Sequence, residues 1–573
     1  MKTQLNTVFL IKLINIWMLL VFPSALIAAT ITLNTSTTHQ TMIGLEGTVA
    51  EEQLNLNTTS FSIYKDELFD KVVDDLGLNR IRLEIYSGTE NPVDYFSQYE
   101  QGIIDNNTWV NNYCYKIVND DADSNHINAN GFQFRGLDYH IDYVVLPLKQ
   151  RLEARGEKLY INLQYVNFTR IANTFTHCED PNEYAEFMLA TFQHIKSKYN
   201  WVPDSIEIYL EPDNTDFQKD NWTAAKIGNV IVSTSAKLKA NGFNNVEIST
   251  PSCLNMSYAI TWFNDMITSV PACLPLISEF SYHRYAGVYD ASLQTIGSIA
   301  AQYGIRTIMS EHIGSSYDDL HKDIKIGKVS SWQHYGWLGY FLIDKSDPQH
   351  PVITLKEISK FFRQYFKFIR KDAVRIDASS DNSNFDPLAF INKGGKYVVV
   401  VKTLTGGSMI IKGLPAGKYG IKYTTDDGSG NAKEYDVDLL DSNLSAGQDL
   451  NTSIPDKGVI TIYNKDIGQS GNNGGSNLNP FEKTRIFPNP FNPAAASRGK
   501  IKITDIPISC VLEIYNATGG LIRSLNERDF GDNGWMEWDG KNQSGELVPS
   551  SIYYYMIQDA VGNTKKGKIA IVK

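Results

Sequence analysis

The chain alternates between two hydrophobic periods. Apolar residues at helical spacing give way to short, nearly continuous runs rich in Ile, Val and Tyr, and then return. Phe69 to Leu76 predicts a helix stopped by Gly77, and Asn79 to Ile85 a strand. Leu137 to Glu153 and Lys158 to Gln164 repeat the pair. Asn182 to Tyr199, opened by Asp180-Pro181, precedes a strand that runs to Glu211. Trp222 to Ala240 leads to Val246 to Thr250, and Ala259 to Ile267 leads to Ile277 to Tyr285. Ala291 to Tyr303, stopped by Gly304, leads to a strand ending at Glu311. Lys325 to Leu342 is apolar and holds Trp332 and Trp337. With a first strand near Ile43 to Gly47, the series spans about 300 residues and predicts a parallel sheet. At that length the expected form is an eightfold β/α barrel over 44–349. An open doubly wound sheet would show the same alternation, but no strand is followed by a Gly-rich phosphate loop.

Past residue 350 the period changes. A helix over Lys356 to Ile369 is followed by short strands between glycine turns, Tyr397 to Lys402, Ser408 to Ile411, Gly417 to Tyr423 and Val459 to Tyr463. These predict a β-sandwich over 350–466, which the strand in 30–43 is expected to join. The polar run Ser-Gly-Asn-Asn-Gly-Gly-Ser-Asn marks a flexible linker over 467–484. Short strands then resume over 485–573 as a small β-domain. At the other end, Lys2 and Lys12 precede an apolar run to Ala29 that closes on small residues. This reads as a cleaved export signal over 1–29 and predicts a secreted or cell-surface protein.

Composition narrows the partners. The net charge of −11 argues against nucleic acid and anionic membrane surfaces, which require basic patches. The five cysteines match no zinc spacing. Export permits disulfides, with Cys253–Cys273 and Cys114–Cys178 as possible pairs.

Candidate chemistry sits at strand ends. In a β/α barrel the carboxyl ends of the strands form the active face. Counted from Ile43–Gly47, Glu211 falls at the fourth strand and Glu311 at the seventh. Two converging carboxylates suit glycoside hydrolysis, in which one group protonates the leaving oxygen and the other attacks the anomeric carbon or activates water. Arg82, late in the second strand, is placed to hold a carboxylate ionised. Tyr285, at the sixth strand end, is placed to donate to the nucleophile, His283 to orient a sugar hydroxyl, and Trp332 to floor the pocket. No metal or organic cofactor is required by this chemistry.

These residues resemble the retaining glycoside hydrolases of the large β/α-barrel clan, and within it the glucosylceramidase and xylanase group, glycoside hydrolase family 30. Gln40-Thr41-Met42-Ile43-Gly44 is similar to that family's opening Gln-x-Ile-x-Gly-Phe-Gly. Ile208-Tyr209-Leu210-Glu211-Pro212 is similar to its strand-four Asn-Glu-Pro, and Ser310-Glu311 to its strand-seven nucleophile. Phe361 to Ile376 is similar to the segment that leaves the barrel for the side domain. The likeness covers about residues 30 to 465. It implies a secreted glycosidase cleaving β-linked polysaccharide or oligosaccharide by double displacement, with Glu311 as nucleophile and Glu211 as acid/base. The sequence departs from the pattern at Leu210, where the clan has an Asn holding the sugar 2-hydroxyl, and at Gly44-Leu45-Glu46-Gly47. Asn162, Gln164 or Asn214 could supply the missing contact. A carbohydrate-binding surface protein on a degenerate hydrolase barrel is the alternative.

The tail resembles something else. Phe487-Pro488-Asn489-Pro490, Trp538-Asp539-Gly540, Ser551-Ile552-Tyr553-Tyr554-Tyr555 and Gly567-Lys568-Ile569 are similar to the immunoglobulin-like sorting domain of type IX secretion cargo. That resemblance implies an outer-membrane secretion machinery as partner.

Overall fold

The computed structural model describes residues 28–49, 60–168, 173, 175–216, 220–465, 484–493, 500–504, 510–525, 530–531, 535–558 and 564–572. The export signal and the linker expected from the sequence lie almost wholly outside these residues. The chain divides into two compact units, 1–471 and 472–573.

In the first unit, β1 (Ala29–Thr41) precedes a closed barrel of eight parallel strands. They are β2 (Gly44–Val49), β3 (Arg80–Tyr86), β4 (Tyr160–Val166), β5 (Ser205–Glu207), β6 (Glu247–Asn255), β7 (Glu279–Ala286), β8 (Arg306–Glu311) and β9 (Val329–Gly336). Pairing of β2 with both β3 and β9 closes the ring. Local chemistry sets the helix ends. The helix Pro181–Tyr199 starts where the Asp180 side chain accepts from the Asn182 amide at 2.8 Å, with Pro181 at its first position. It buries Tyr184, Phe187, Met188, Phe192 and Ile195, a stripe at helical spacing against the barrel. Gly77 ends the first helical segment at φ 96, and an added Cβ would lie 2.6 Å from the Lys367 Cα and the Phe366 carbonyl oxygen. A side chain there would wedge the barrel wall from the helix Glu357–Phe366.

The barrel interior is charged rather than apolar. Every second residue of β3 points inward, placing Arg80, Arg82 and Glu84 at successive levels. Low in the barrel, Arg80 donates to both oxygens of Glu279 at 3.1 Å, with its Nε 3.1 Å from Glu46. One level up, Glu207 accepts from Asn162 at 2.9 Å and from Ser310 at 3.2 Å. Buried charge is costly unless compensated; Arg80 is paired with Glu279 and Glu46, and Glu207 is held by neutral donors.

The β2–β9 barrel is followed by a hairpin of β10 (Phe341–Asp344) and β11 (Val352–Leu355). The side domain contains β12 (Val374–Ser380), β13 (Phe385–Asn392), β14 (Lys396–Thr403), β15 (Gly407–Lys412), β16 (Gly417–Asp426), β17 (Ala432–Asp438), β18 (Ser442–Leu444), β19 (Leu450–Ile454) and β20 (Gly458–Asn464). Together with β1 they form one connected sheet in the order β17-β16-β20-β14-β13-β12-β1-β15-β19, with β18 paired to β16. Residues from both ends of that order share one core, so the sheet wraps around itself. In β14, Val399 and Val401 face this core, while Val398 and Val400 join the barrel's.

Among the described residues, the second unit contains two four-stranded sheets. One contains Arg485–Phe487, Ile501–Thr504, Trp535–Trp538 and Phe530–Gly531, the other Leu521–Leu525, Val511–Tyr515, Ser551–Gln558 and Thr564–Ile571. Between them lie Phe491, Ile501, Leu512, Trp538 and Ile569.

Neither of the possible disulfides forms. All five cysteines are buried and outside any disulfide. Cys178 lies 3.2 Å from the Thr176 hydroxyl, and Cys114 packs in an aromatic cluster with Tyr86 and Trp109. Cys253 lies on β6, while Cys273 belongs to the short turn Pro271–Leu276.

Candidate active site

Glu311 is the last residue of β8, the seventh barrel strand. Glu211 lies just beyond β5, the fourth, which ends at Glu207 rather than running to the glutamate. The extension stays attached to β6, with the Ile208 amide donating to Ser249 at 3.3 Å and the Glu211 amide to Ser252 at 3.1 Å. Glu211 itself adopts φ 49, and Ser252 opposite it φ 55. Left-handed backbone at a non-glycine residue stores about 1–3 kcal/mol and persists where the surroundings impose it. Here it turns the Glu211 side chain over the barrel mouth, where a straight strand would have continued past it.

The two carboxyl groups meet there. An oxygen of Glu211, an oxygen of Glu311 and a ring nitrogen of His283 lie within 4.8 Å of one another. All four carboxylate oxygens are engaged. His283 Nδ1 lies 2.7 Å from Glu211 Oε1, and the Asn214 amide donates to Glu211 Oε2 at 2.7 Å. The Arg82 guanidinium donates to Glu311 Oε2 at 2.6 Å, and the Tyr285 hydroxyl to Glu311 Oε1 at 2.9 Å. Arg82 also donates to the Ser310 carbonyl at 3.2 Å and to Glu84 at 3.3 Å.

Electrostatics distinguishes the acids. Burial works to push the Glu311 carboxyl up. The Arg82 charge, then that of His283, and the hydrogen bonds from Arg82 and Tyr285 outweigh it and hold Glu311 below the ordinary carboxylate range. Glu84, buried beside them, is pushed up to about 7 by desolvation, against the pull of Arg82. His283 is desolvated too, but its bond to Glu211 and the charges of Glu311 and Glu211 raise it above an ordinary imidazole.

The other residues singled out in the sequence fall in three places. Arg82, His283, Tyr285 and Asn214 converge on the carboxylates as described. His283 is held against Glu211 rather than at a sugar hydroxyl, and its Nε2 is buried without a partner. Asn162 is spent inside the barrel, donating to Glu207 at 2.9 Å and accepting from Ser205 at 2.7 Å. Gln164 is fully buried on β4 with neither end of its amide paired. Trp332 does not floor the pocket. Its ring points out of the barrel, 5.0 Å from Phe362 and 5.9 Å from Phe366, and its indole donates to Asp323 at 2.9 Å. Leu210 packs with Tyr86, Trp109, Tyr115, Tyr139 and Val166. Glu84 joins the site beside Arg82, although its place on β3 alone does not mark it out. Its signal is the polar residue at every second position of Arg80-Ile81-Arg82-Leu83-Glu84.

Beside the mouth, the long excursion between β3 and β4 forms a small cavity open to solvent. Tyr86, Tyr95, Trp109, Tyr113 and Gln133 line it, and Glu84 is the residue it shares with the carboxylate site.

Comparison with known proteins gives the fold an identity but not the chain. No known sequence family matches it, and no curated protein matches it by sequence. Solved structures match over 76% of the chain. A glycoside hydrolase family 30 endoxylanase from Clostridium papyrosolvens is 14% identical, with 99% of its length covered and a TM-score of 0.53. A conserved exported protein from Bacteroides fragilis is 13% identical, with 100% covered and a TM-score of 0.56. An endo-β1,6-glucanase is 14% identical, with 94% covered and a TM-score of 0.51. The closed parallel barrel with its β-rich companion is thus an architecture that glycoside hydrolases use.

Proposed function

We propose that this chain is an exported retaining β-glycosidase that cleaves polysaccharide or oligosaccharide by double displacement. The observation that carries the reading is the pair Glu211 and Glu311, with oxygens within 4.8 Å and every oxygen engaged. Retaining enzymes hold their carboxyl groups about 5–5.5 Å apart, whereas inverting ones leave about 6.5–9.5 Å for a water.

Glu311, kept ionised by Arg82, attacks the anomeric carbon while Glu211 gives its proton to the leaving oxygen. The bond formed is a glycosyl ester on Glu311, and the bond broken is the glycosidic one. Esterification removes the Glu311 charge. Glu211, now a carboxylate, takes a proton from the water that attacks the same carbon, and Glu311 leaves as it began. Of the residues that could replace the clan's Asn at the sugar 2-hydroxyl, Asn162 and Asn214 already hold other partners. Gln164 keeps an uncommitted amide. Binding without turnover is favoured by one observation, the apolar Leu210 beside the acid.

The names of the neighbours supply the first substrates to try, β-xylan and β-1,6-glucan. The secreted protein should release a product whose anomer, followed by NMR, starts as the β form. A 2-fluoro-β-glycoside of the cleaved sugar should label Glu311. An α product, or label elsewhere, would remove the retaining mechanism; binding with no product from any β-glucan or xylan would favour the non-catalytic reading. We also read the second unit as the sorting domain for outer-membrane export. In a host with that machinery, deleting 485–573 should leave active protein inside the envelope, and unchanged export would refute the assignment.

A further inference from the structure

A second acidic cluster lies away from the barrel mouth, with no part in the chemistry above. Asp120, on the long excursion between β3 and β4, meets Glu183 and Glu186 of the helix Pro181–Tyr199. One oxygen from each lies within 4.8 Å of the others. Glu183 and Glu186 are spaced three apart and so share a helix face, which carries them toward the same point. They are 6% and 2% exposed.

Three carboxylates so placed repel one another in a poorly solvated setting. Donors do not relieve them. No amide, hydroxyl or cationic donor reaches either oxygen of Glu186, whose hydrogen-bonding neighbour is the Glu183 carboxyl; Oδ1 of Asp120 and the side-chain oxygen of the preceding Asn119 are also buried without a donor. Asp120 Oδ2 accepts from the Asn128 amide at 2.6 Å, which fixes that carboxylate and leaves its other oxygen unpaired. Lys237 contributes positive charge, but its ammonium is committed to the carbonyls of Ser124 and Asn182. Glu90 adds further negative charge.

We propose that Asp120, Glu183 and Glu186 form a calcium site that ties the long excursion to the helix Pro181–Tyr199. Calcium binds oxygen at 2.3–2.6 Å, so two ligands of one ion lie at most about 5 Å apart. Oxygens within 4.8 Å of one another therefore fit a single coordination sphere. The donor set is oxygen alone, which suits a hard cation; zinc favours histidine and cysteine. The ion would supply the positive charge that the buried oxygens lack. It would also fix the excursion whose aromatic residues line the cavity beside the carboxylate pair.

The rival occupant is a proton shared between Glu183 and Glu186. The full chain, stripped with chelator and exchanged into calcium-free buffer, distinguishes the two. Titration with calcium chloride should give saturable heat near one ion per chain and raise the melting temperature by several degrees. It should also slow proteolytic cleavage within residues 86–136. Glu186→Gln should weaken calcium binding at least about tenfold while leaving the calcium-free protein as stable as the parent, because it removes an unpaired charge and keeps the shape. Asp120→Asn, a change on the loop side, should weaken binding likewise. Absence of calcium heat and of a melting shift in the parent chain would overturn the site in favour of the shared proton. A calcium response undiminished in both variants would place the ion elsewhere and overturn it as well.

Discussion

Two groups of carboxylates, one at the barrel mouth and one beside the helix Pro181–Tyr199, have their oxygens treated in opposite ways. At the barrel mouth, Glu211 and Glu311 have all four oxygens engaged, by Asn214, His283, Tyr285 and Arg82. In the cluster of Asp120, Glu183 and Glu186, both oxygens of Glu186 and Oδ1 of Asp120 are buried without donors. At both places acid oxygens lie within 4.8 Å of one another. What differs is the second layer. Fixed donors aim each mouth carboxylate, and at Glu311 they also favour the ionised form, as nucleophilic attack requires. Bare oxygens carry no such instruction and suit an ion that brings its own charge.

The largest effect should come from the mouth. Glu311→Ala should reduce turnover by about 10⁴-fold or more, because the covalent route is lost. Glu211→Ala should lower polysaccharide turnover by about 10²–10⁴-fold, spare aryl glycosides with very good leaving groups, and recover with azide. Substitutions at Glu186 should leave these rates near those of the parent when substrate is small and calcium is present. Equal losses at Glu186 and Glu211 on an aryl glycoside would erase the distinction between the two groups.

A subtler effect separates charge from geometry. Glu311 sits below the ordinary carboxylate range, with Arg82 the largest pull against its burial. Its ionised form acts, so activity is fully present above its pKa and is lost as pH falls through it. Arg82→Lys keeps one charge but loses the fork that donates to Glu311, Glu84 and the Ser310 carbonyl. The pKa of Glu311 should rise, and the acid limb of kcat/KM should move about one unit toward higher pH. An unmoved limb with a reduced plateau would mean that the retained charge is enough to keep Glu311 ionised and that the fork acts by position.

How much of this could be read from the chain follows from what each residue needs. The barrel was legible because helix and strand periods alternate locally, and Glu211 and Glu311 because each follows a buried strand and precedes a break. Trp332 was not, since a β/α-barrel strand buries both faces and a tryptophan fits either; only its contacts with Phe362 and Phe366 decide. Asn162 and Gln164 read alike on one strand, yet Glu207 claims the first and nothing claims the second. The cysteine spacings could not reveal that Cys178 turns to Thr176. The acidic cluster was hidden because Glu183 and Glu186 look like the solvated face of a helix until Asp120 arrives from a distant loop.

The smallest effect tests the cluster's internal order. Glu183 lies in the first turn of its helix, where a carboxylate gains about 0.3–1 kcal/mol from the helix dipole. Burial, Glu90, Asp180 and Asp120 act against its charge. In chelator, Glu183→Gln removes both the gain and the repulsion, so the melting temperature should move by less than about 2 °C. Glu186 lies beyond that first turn and has no such compensation, so Glu186→Gln should be the more favourable of the two changes without calcium. With calcium, both variants should fall below the parent, because each removes an anionic ligand. A Glu183→Gln protein that melts well below the parent in chelator would mean that Glu183 is held by the helix end alone, and the two glutamates would no longer count as one group.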